Sequence, residues 1–373
     1  MKKVYLDNAA TTALRPEVIA EMTTVMQEEF GNPSSTHSFG RGARNVLELS
    51  RKTIAKMLGA QASEIIFTSC GTESNNWILR SAIVDLKVER IISSKIEHHA
   101  VLHTLEVLRD EFSIAVDYVN VNADGLIDLN HLSELLAERV PTLVSLMHVN
   151  NEIGTVLDLG QTARLCKQYG AHFHTDAVQS VGKVELDMQQ LPIDFLSASA
   201  HKFHGPKGVG FAFVRKGIVM RPMLVGGEQE KGLRAGTEGV HNIAGMAKAL
   251  EISYAQLDAE RVRILAVKNH LIGQLSQHFP GFKINGGESL YNIVNVLLPI
   301  PQDKTALILF HLDMKGIAVS RGSACQSGST RPSHVLAEIL SEQDLCKPSV
   351  RVSFSHENTT EDVDHLIEVL KSI

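Results

Sequence analysis

Two lysines follow the apolar residues 193–196 in one glycine-containing stretch, SASAHKFHGPKGVG at residues 197–210. Lys202 comes directly after the predicted strand DFLSAS, whereas Lys207 lies in a Gly-Pro-Lys-Gly turn that we expect to face solvent. A basic surface turn is one interpretation of this stretch. The other is an active-site lysine delivered by a core strand, and Lys202 is then the candidate, because a neutral lysine amine is a nucleophile.

A second candidate group lies in HTDAVQSVGK, where Asp176 ends an apolar strand and Gln179 follows one short turn later. An aspartate in this position could cap a helix, ligate a metal or pair with a protonated ring nitrogen, and the cap is the ordinary interpretation. Lys202 favours the third alternative. Pyridoxal phosphate needs a lysine that bonds to its aldehyde, an acid against its pyridine nitrogen and a cradle for its phosphate.

A possible phosphate cradle occurs in EIIFTSCGTESNN, where a strand runs through Ser69 and Cys70 into a helical segment. Backbone N–H groups at a helix start bind anions, Gly71 allows close approach of a ligand, and Thr72 adds a hydroxyl donor. A plain helix-capping turn explains the same residues equally well. Beside Lys202, two further residues could donate to a phosphate, Ser199 and His201.

Histidines cluster in IEHHAVLH (residues 96–103), and HVNNEIG (148–154) adds another beside two asparagines. The clustering raises a zinc hypothesis, but the sequence has no HExxH pair and its carboxylates lack a recognisable ligand spacing. We therefore predict no metal site. Structural hydrogen bonding is the ordinary role of such histidines, while in a pyridoxal site His98 or His99 could stack on the ring.

Small and polar residues surround Cys325 in AVSRGSACQSGSTRPSHVL (residues 318–336), a composition typical of a mobile loop. Nearby Arg321 and Arg331 should favour the thiolate. We interpret Cys325 as a nucleophile that must travel. The remaining cysteines are assigned to packing, although one of them adjoins the predicted phosphate turn: Cys70, Cys166 and Cys346.

The elements that must position these groups follow an alternating pattern between residues 64 and 215. Short apolar runs (EIIFTS, RIISS, LVSLMHV, AHFHTDAV, DFLSAS, VGFAFV) alternate with helical patterns such as HAVLHTLEVLRDE. This alternation predicts an α/β domain with a mostly parallel sheet, whose ligands lie beyond the carboxyl ends of the strands. After residue 239 we predict a long hinge helix, followed by a smaller α+β domain in the C-terminal third.

Composition limits the classes of protein that remain. The chain has 373 residues, 44% of them hydrophobic, which suits two or three domains. A net charge of −6 argues against direct binding of nucleic acid or of a membrane surface. The start, MKKVYLDNAATT, lacks the apolar core of a signal peptide, no run is apolar enough to span a bilayer, and four cysteines without a CxxC pair do not form a disulfide framework. We expect a cytoplasmic protein with reduced thiols.

Taken in order, the motifs resemble those of the cysteine desulfurase family, pyridoxal-phosphate enzymes of the class V aminotransferase group with the fold type I architecture. They run from YLDNAATT and FGNPSSTHSFG through GTESNN, EHHAVLH, HVNNEIGT, HTDAVQSVGK, SAHKFHGPKG, RAGTE and GSAC to SVRVSF, and so cover essentially the whole chain. We expect a large cofactor-binding domain over residues 15–258. A small domain of residues 1–14 and 259–373 would carry the Cys325 loop.

The resemblance implies roles for individual residues around pyridoxal 5'-phosphate. Lys202 would bond to the cofactor, Asp176 would face the pyridine nitrogen, and His98 would stack on the ring and carry a proton. Gln179 would contact the phenolic oxygen. The phosphate would be held by Gly71, Thr72, Ser199, His201 and, from the second subunit of a homodimer, Thr237.

For the substrate, the resemblance implies that Asn151 and Arg351 hold the carboxylate of L-cysteine, a task that suits a bidentate guanidinium. Cys325 would take the sulfur as a persulfide and pass it to an acceptor protein for iron–sulfur cluster assembly or tRNA thiolation, leaving L-alanine. Two departures from the family pattern stand out. Cys70 replaces a small residue before Gly71, and Arg321 stands where a serine is common.

Other functions remain open on the sequence. Selenocysteine lyase is a close alternative on the same fold. A metal-dependent hydrolase could use the loops rich in histidine, aspartate and asparagine, and a sulfur-relay or scaffold protein could bind partners without turnover. The combination of Lys202, Asp176 and Cys325 argues against the last of these.

Overall fold

The computed structural model describes residues 2–301, 307–321 and 333–373. Strands in this part of the chain are β1 (Val4–Tyr5), β2 (Ile65–Thr68), β3 (Arg90–Ser93), β4 (Ala115–Tyr118), β5 (Thr142–Ser145), β6 (His172–Asp176), β7 (Phe195–Ser199), β8 (Gly210–Val214), β9 (Lys283–Ile284), β10 (Ile293–Leu297), β11 (Ile317–Ala318) and β12 (Ser349–Ser353). The α-helices are α1 (Pro16–Glu28), α2 (Ser38–Met57), α3 (Gly71–Val84), α4 (His99–Phe112), α5 (Leu129–Leu136), α6 (Leu159–Tyr169), α7 (Val240–Ala255), α8 (Leu257–His278), α9 (Ile308–Met314), α10 (His334–Ile339), α11 (Glu342–Leu345) and α12 (Thr360–Lys371).

A seven-stranded sheet occupies the centre of the described chain, in the order β2-β8-β7-β6-β5-β3-β4. Neighbours from β7 to β4 are parallel, whereas β8 is antiparallel to both β7 and β2. All residues of β2, β3, β5, β7 and β8 are buried, as expected for strands covered on both faces. The prediction of an α/β domain with a mostly parallel sheet is confirmed, and the six apolar runs each contain a strand.

The carboxyl ends of the strands share one edge of this sheet. Because β2 and β7 are both antiparallel to β8, β2 runs in the same direction as β7. The end of β2 at Thr68 therefore lies at the same edge of the sheet as the end of β6 at Asp176. The helix α3 begins at Gly71, three residues after β2 ends. After β7 a short 3-10 helix, Ala200–Lys202, carries the chain away from the sheet. The predicted chemical groups thus leave neighbouring strands at one edge.

The C-terminal third has its own strands and its own hydrophobic cluster. β12, β10 and β9 form an antiparallel sheet, and β1 pairs in parallel with β11. The cluster combines N-terminal Val4 and Leu6 with residues such as Leu271, Val294 and Phe354. The N-terminal segment is therefore packed with the C-terminal third of the chain.

The predicted single hinge helix after residue 239 is wrong. The segment forms two helices, α7 and α8, separated at Gln256, whose backbone (φ −107°, ψ 4°) is not helical. The helix α7 packs against α1 and α2, while α8 packs against α12. Continuous apolar periodicity did not reveal this break, because each helix faces a different cluster. In the described part of the chain, each helix is too short or too polar to cross a bilayer.

Candidate active site

A cavity of about 240 Å³ lies at the sheet edge where the predicted groups emerge. Ten of the residues proposed from the sequence line it: Gly71, Thr72, His98, Asn151, Asp176, Gln179, Ser199, His201, Lys202 and Arg351. Other residues in its wall, including Ala9, Ala10 and Asn75, were not predicted. The cavity therefore brings together groups that are separated by hundreds of residues along the chain.

Asp176 is buried, with both carboxylate oxygens held by donors. Its Oδ2 accepts from Asn75 Nδ2 at 2.7 Å, and its Oδ1 accepts from the backbone N–H of Val178 at 3.0 Å. Asn75 lies four residues after Gly71 in α3, so the two residues share one face of that helix. This spacing is the signal by which the sequence could have revealed Asn75. The arrangement gives the carboxylate a single orientation in the cavity wall.

The amine of Lys202 donates to two carbonyl oxygens of the N-terminal segment, Ala9 at 2.7 Å and Ala10 at 2.8 Å. That segment is tied in place by the bonds from Ala9 N to Ser353 Oγ (2.8 Å) and from Thr12 N to His201 O (2.9 Å). Lys207 is exposed. The prediction that the Gly-Pro-Lys-Gly turn faces solvent is consistent with this position.

His98 occupies the N-cap position of α4, where its Nδ1 accepts from Ala100 N at 3.0 Å. The neutral ring therefore carries its proton on Nε2. Burial lowers the pKa of His98, although the negative charge of Asp176 opposes the shift. His99 instead makes ring contacts with His103 and His334 at centroid distances of 4.7 and 4.6 Å. His98 is thus the histidine that lines the cavity, in a neutral form at neutral pH.

Other titratable groups near His98 are also shifted. Glu97 is fully buried and accepts from Ser94 Oγ at 2.8 Å and from Met147 N at 3.0 Å. Burial raises its pKa to about 8, with a further contribution from Asp176. Among the described residues, no group of three or more histidine, cysteine, aspartate or glutamate side chains is arranged to hold a metal ion.

The start of α3 forms one wall of the cavity. Cys70 is its N-cap, with an extended backbone (φ −177°), and Gly71 is its first residue. A Cβ atom at Gly71 would lie 2.5 Å from Cγ2 of Val178, and one at Gly210 would lie 3.0 Å from the backbone of Cys70. Glycine at these two positions lets the turn sit close to its neighbours. The turn accommodates the half-buried Cys70, which the family pattern would replace with a smaller residue.

Arg351 is 1% exposed, lies in β12 and lines the same cavity. Its Nη1 donates to the backbone oxygen of Asn151 at 2.7 Å, and its Nη2 forms an ion pair with Asp7 Oδ1 at 2.7 Å. Its Nε is buried and has no hydrogen-bond partner among the described residues. The guanidinium is therefore fixed and retains a donor.

Gln179 is buried and connects the cavity to a lysine that the sequence analysis did not single out. Its Nε2 donates to Ala9 O at 2.8 Å, and its Oε1 accepts from Lys183 Nζ at 3.3 Å. Burial, with a smaller contribution from the charge of Lys202, lowers the pKa of Lys183 to about 7. The spacing of Gln179 and Lys183 in the sequence did not indicate that they are in contact, because residues 178–183 form turns and not a helix.

Thr237 is a predicted site residue that does not line this cavity in the described chain. Thr237 lines a separate cavity of about 150 Å³ together with Ser69, Gly208 and Arg234. Cys325 lies outside the described residues, as does Arg331.

Of the cysteines assigned to packing, Cys166 is buried as predicted, but Cys346 is exposed, so its assignment is wrong. It is the C-cap of the short helix α11, in which no residue is buried.

Comparison with known proteins defines the class. The family described as aminotransferase class V matches residues 4–366, and this chain belongs to that family. It is 42% identical to "Cysteine desulfurase IscS" of Dictyoglomus turgidum, over all of this chain and 94% of the relative. It is 41% identical to the protein of the same name in Methanosarcina thermophila, over all of this chain and 92% of the relative.

Solved structures agree with the family. A "NifS-like protein" superposes with a TM-score of 0.90 at 36% identity, covering 100% of this chain and 99% of that one. The NifS-like protein from Rickettsia africae superposes with a TM-score of 0.88 at 33% identity, covering 100% of this chain and 99% of that one. The structure of "SspA in complex with cysteine" superposes with a TM-score of 0.82 at 33% identity, covering 96% of this chain and 100% of that one. The α/β architecture is that of fold type I, as predicted.

Enzymes of this family use pyridoxal 5'-phosphate, and the cavity fits that cofactor. Its wall offers a lysine amine, a buried carboxylate with both oxygens fixed, and a helix start with glycine at the point of closest approach. These are the three groups that the cofactor requires for its aldehyde, its ring nitrogen and its phosphate. The cofactor predicted from the sequence is therefore the one that the family uses and the site suits.

Proposed function

We propose that this protein is a cysteine desulfurase, which converts L-cysteine to L-alanine and retains the sulfur as a persulfide on Cys325. The observation that carries the proposal is the single cavity lined by Lys202, Asp176, His98 and Arg351. Relatives that span the whole chain bear the name cysteine desulfurase. One of the similar solved structures, that of SspA, is a complex with cysteine.

Pyridoxal phosphate, when bound, withdraws electrons from the α carbon of an amino-acid substrate. In our proposal Lys202 would hold the cofactor through its aldehyde, and its free amine would take the proton from Cα of the substrate. Asp176 places a fixed negative charge against the pyridine nitrogen. His98, whose pKa is lowered by burial, is neutral and carries a proton through Nε2.

Arg351 and Asn151 bind the substrate carboxylate in this proposal. Arg351 is supported by the ion pair with Asp7 and by the bond to the Asn151 backbone, which fix its plane before substrate arrives. Its buried Nε has no partner among the described residues, and a carboxylate oxygen would supply one. Binding a carboxylate would then offset the desolvation penalty of the buried Arg351 Nε–H group.

The sulfur step requires Cys325 as a thiolate. Its sulfur attacks the substrate sulfur, the S–S bond of a persulfide forms, and the Cβ–S bond breaks with its electron pair going to Cβ. Cβ takes a proton and Lys202 returns the proton to Cα, which together give alanine. No external oxidant is needed, because the two electrons that sulfur gives up on forming the persulfide are the two that reduce the substrate carbon.

We also propose the wider assignments that follow from the family resemblance. Residues 15–258 form the cofactor-binding domain, and residues 1–14 and 259–373 form the small domain. Gly71, Thr72, Ser199 and His201 hold the phosphate, with Thr237 of a second subunit, and the enzyme is a cytoplasmic homodimer. The acceptor is a protein of iron–sulfur cluster assembly or of tRNA thiolation.

Quantifying both products tests this function. Purified protein loaded with cofactor is incubated with L-cysteine, and alanine and protein-bound sulfane sulfur are measured in wild type, Cys325→Ser and Cys346→Ser. We expect wild type and Cys346→Ser to form both products, and Cys325→Ser to keep the bound cofactor but lose both. Full activity of Cys325→Ser would refute the role of this cysteine.

A further inference from the structure

Lys183 is a buried lysine that has no role in the proposed reaction. The residue is 9% exposed, and its amine donates a described hydrogen bond to Gln179 Oε1 at 3.3 Å. None of the ion pairs in the described part of the chain includes it. Burying a lysine without a carboxylate partner is costly to the fold, which is why its pKa is lowered to about 7, and its presence therefore calls for a functional reason.

The contacts of Gln179 show what Lys183 does to the amide. A backbone carbonyl accepts and cannot donate, so the contact with Ala9 requires the NH₂ side of the amide. The ammonium form of Lys183 donates and cannot accept, so it requires the oxygen side. With Lys183 on one side and the Ala9 carbonyl on the other, the amide has one favourable orientation, in which Oε1 faces Lys183 and Nε2 faces Ala9. A rotation by 180° would place like groups against each other at both contacts.

This orientation leaves a donor for the cavity. An amide NH₂ group has two hydrogens, and Ala9 O takes one of them. Gln179 lines the cavity, so the second hydrogen is available to a ligand there. Ala9 O also accepts from Lys202 Nζ at 2.7 Å, which places the amide beside the lysine proposed to bond to the cofactor.

We propose that Lys183 is a positioning residue that holds the Gln179 amide with its NH₂ group towards the cavity and polarises it for donation to an oxyanion of the bound ligand. The inference rests on the proposed function, in which that oxyanion is the phenolic oxygen of pyridoxal phosphate. The ammonium, the amide and the oxyanion then form a series in which each hydrogen bond strengthens the next. The ligand anion supplies the counter-charge that the described protein side chains do not.

A double-mutant cycle on cofactor affinity tests this inference. The apoprotein is titrated with pyridoxal phosphate, followed by visible absorbance, in wild type, Lys183→Met, Gln179→Ala and the double variant. We expect Lys183→Met to weaken binding about five- to tenfold, which corresponds to the net contribution of one ordinary hydrogen bond. Because Lys183 acts through Gln179, the double variant should bind within about twofold of Gln179→Ala alone.

Lys268 provides a matched control. It is also a buried lysine, 6% exposed, but its Nζ donates to Ser289 Oγ at 2.7 Å and to Leu290 O at 2.9 Å, away from the cavity. Lys268→Met should leave cofactor affinity unchanged. As a second readout, the bound cofactor should show the same displaced visible maximum in Lys183→Met and Gln179→Ala, because both variants lose the same donation to the phenolic oxygen.

The outcomes separate this inference from the proposed function. Additive losses in the double variant, or wild-type affinity in Lys183→Met, would contradict the positioning role while leaving cofactor binding intact. If the wild-type apoprotein does not bind pyridoxal phosphate, the proposed function itself fails, and the role of Lys183 fails with it.

Discussion

The side-chain amide of Asn75 donates to the carboxylate of Asp176 over 2.7 Å, across 101 positions of sequence. Asn75 belongs to α3, the helix whose first residues, Gly71 and Thr72, form the proposed phosphate cradle. One helix therefore orients the Asp176 carboxylate and, in the proposed function, also supplies the donors for the phosphate. The distance between these two subsites is set by a rigid element and not by two independent loops.

Removing this contact should slow turnover without releasing the cofactor. We expect Asp176→Asn to lower kcat roughly a hundredfold or more, because the fixed negative charge is lost. Asn75→Ala should lower it about tenfold, since the carboxylate loses one of two fixing donors. Alanine formation and visible absorbance are measured together. Asn76→Ala is the control, because that amide donates within its own helix to Thr72 O, and activity equal to Asn75→Ala would contradict the assignment.

Arg351 should determine the affinity for substrate. Lysine lacks the planar pair of donors, so Arg351→Lys should raise KM for L-cysteine about tenfold while kcat falls less. Steady-state kinetics over a range of cysteine concentrations provides the measurement. The same change at exposed Arg261 should have no effect. An unchanged KM in Arg351→Lys would show that the carboxylate binds elsewhere.

The sequence predicted the groups that follow strands better than the contacts between distant segments. Asp176 and Lys202 could be placed because each follows an apolar strand, and parallel strands deliver their carboxyl ends to one edge. The carbonyls of Ala9 and Ala10 at Lys202 depend on an N-terminal segment more than 190 positions away in sequence, which no local pattern encodes. The break between α7 and α8 at Gln256 was not predicted for a related reason. Apolar periodicity continues through it, while the helices against which α7 and α8 pack are different.

A buried ion pair should contribute strongly to stability. Arg51 and Glu230 are each 2% exposed in their side chains and form two hydrogen bonds of 2.7 and 2.8 Å. Glu230→Gln leaves the buried guanidinium with only the partly exposed carboxylate of Glu48, at 3.1 Å, as counter-charge, so we expect a loss of about 3 kcal/mol in the free energy of unfolding. Urea denaturation at neutral pH measures it. Glu111→Gln, in the exposed pair with Arg80, is the control and should change stability little.

The buried carboxyl of Glu97 should make stability fall as pH rises. Its folded-state pKa of about 8 lies above the ordinary value of 4.5, so between these values the folded state binds the proton more tightly than the unfolded state. The contribution is present in full below the lower value and is lost as pH rises through the upper one. Glutamine does not ionise, so Glu97→Gln removes this loss of stability at higher pH. In urea denaturation, the variant should gain stability relative to wild type between about pH 5 and about pH 8, and a pH-independent difference would argue against the shift.

The visible absorption spectrum of the purified protein, recorded before and after L-cysteine is added and combined with an assay for alanine, tests the central claim most directly. We predict a cofactor band that depends on Lys202, shifts on addition of cysteine and is accompanied by alanine. Lys202→Ala should lack the original band. A colourless protein that cannot be reconstituted with pyridoxal phosphate, or a cofactor-loaded protein that forms no alanine from cysteine, would contradict the account.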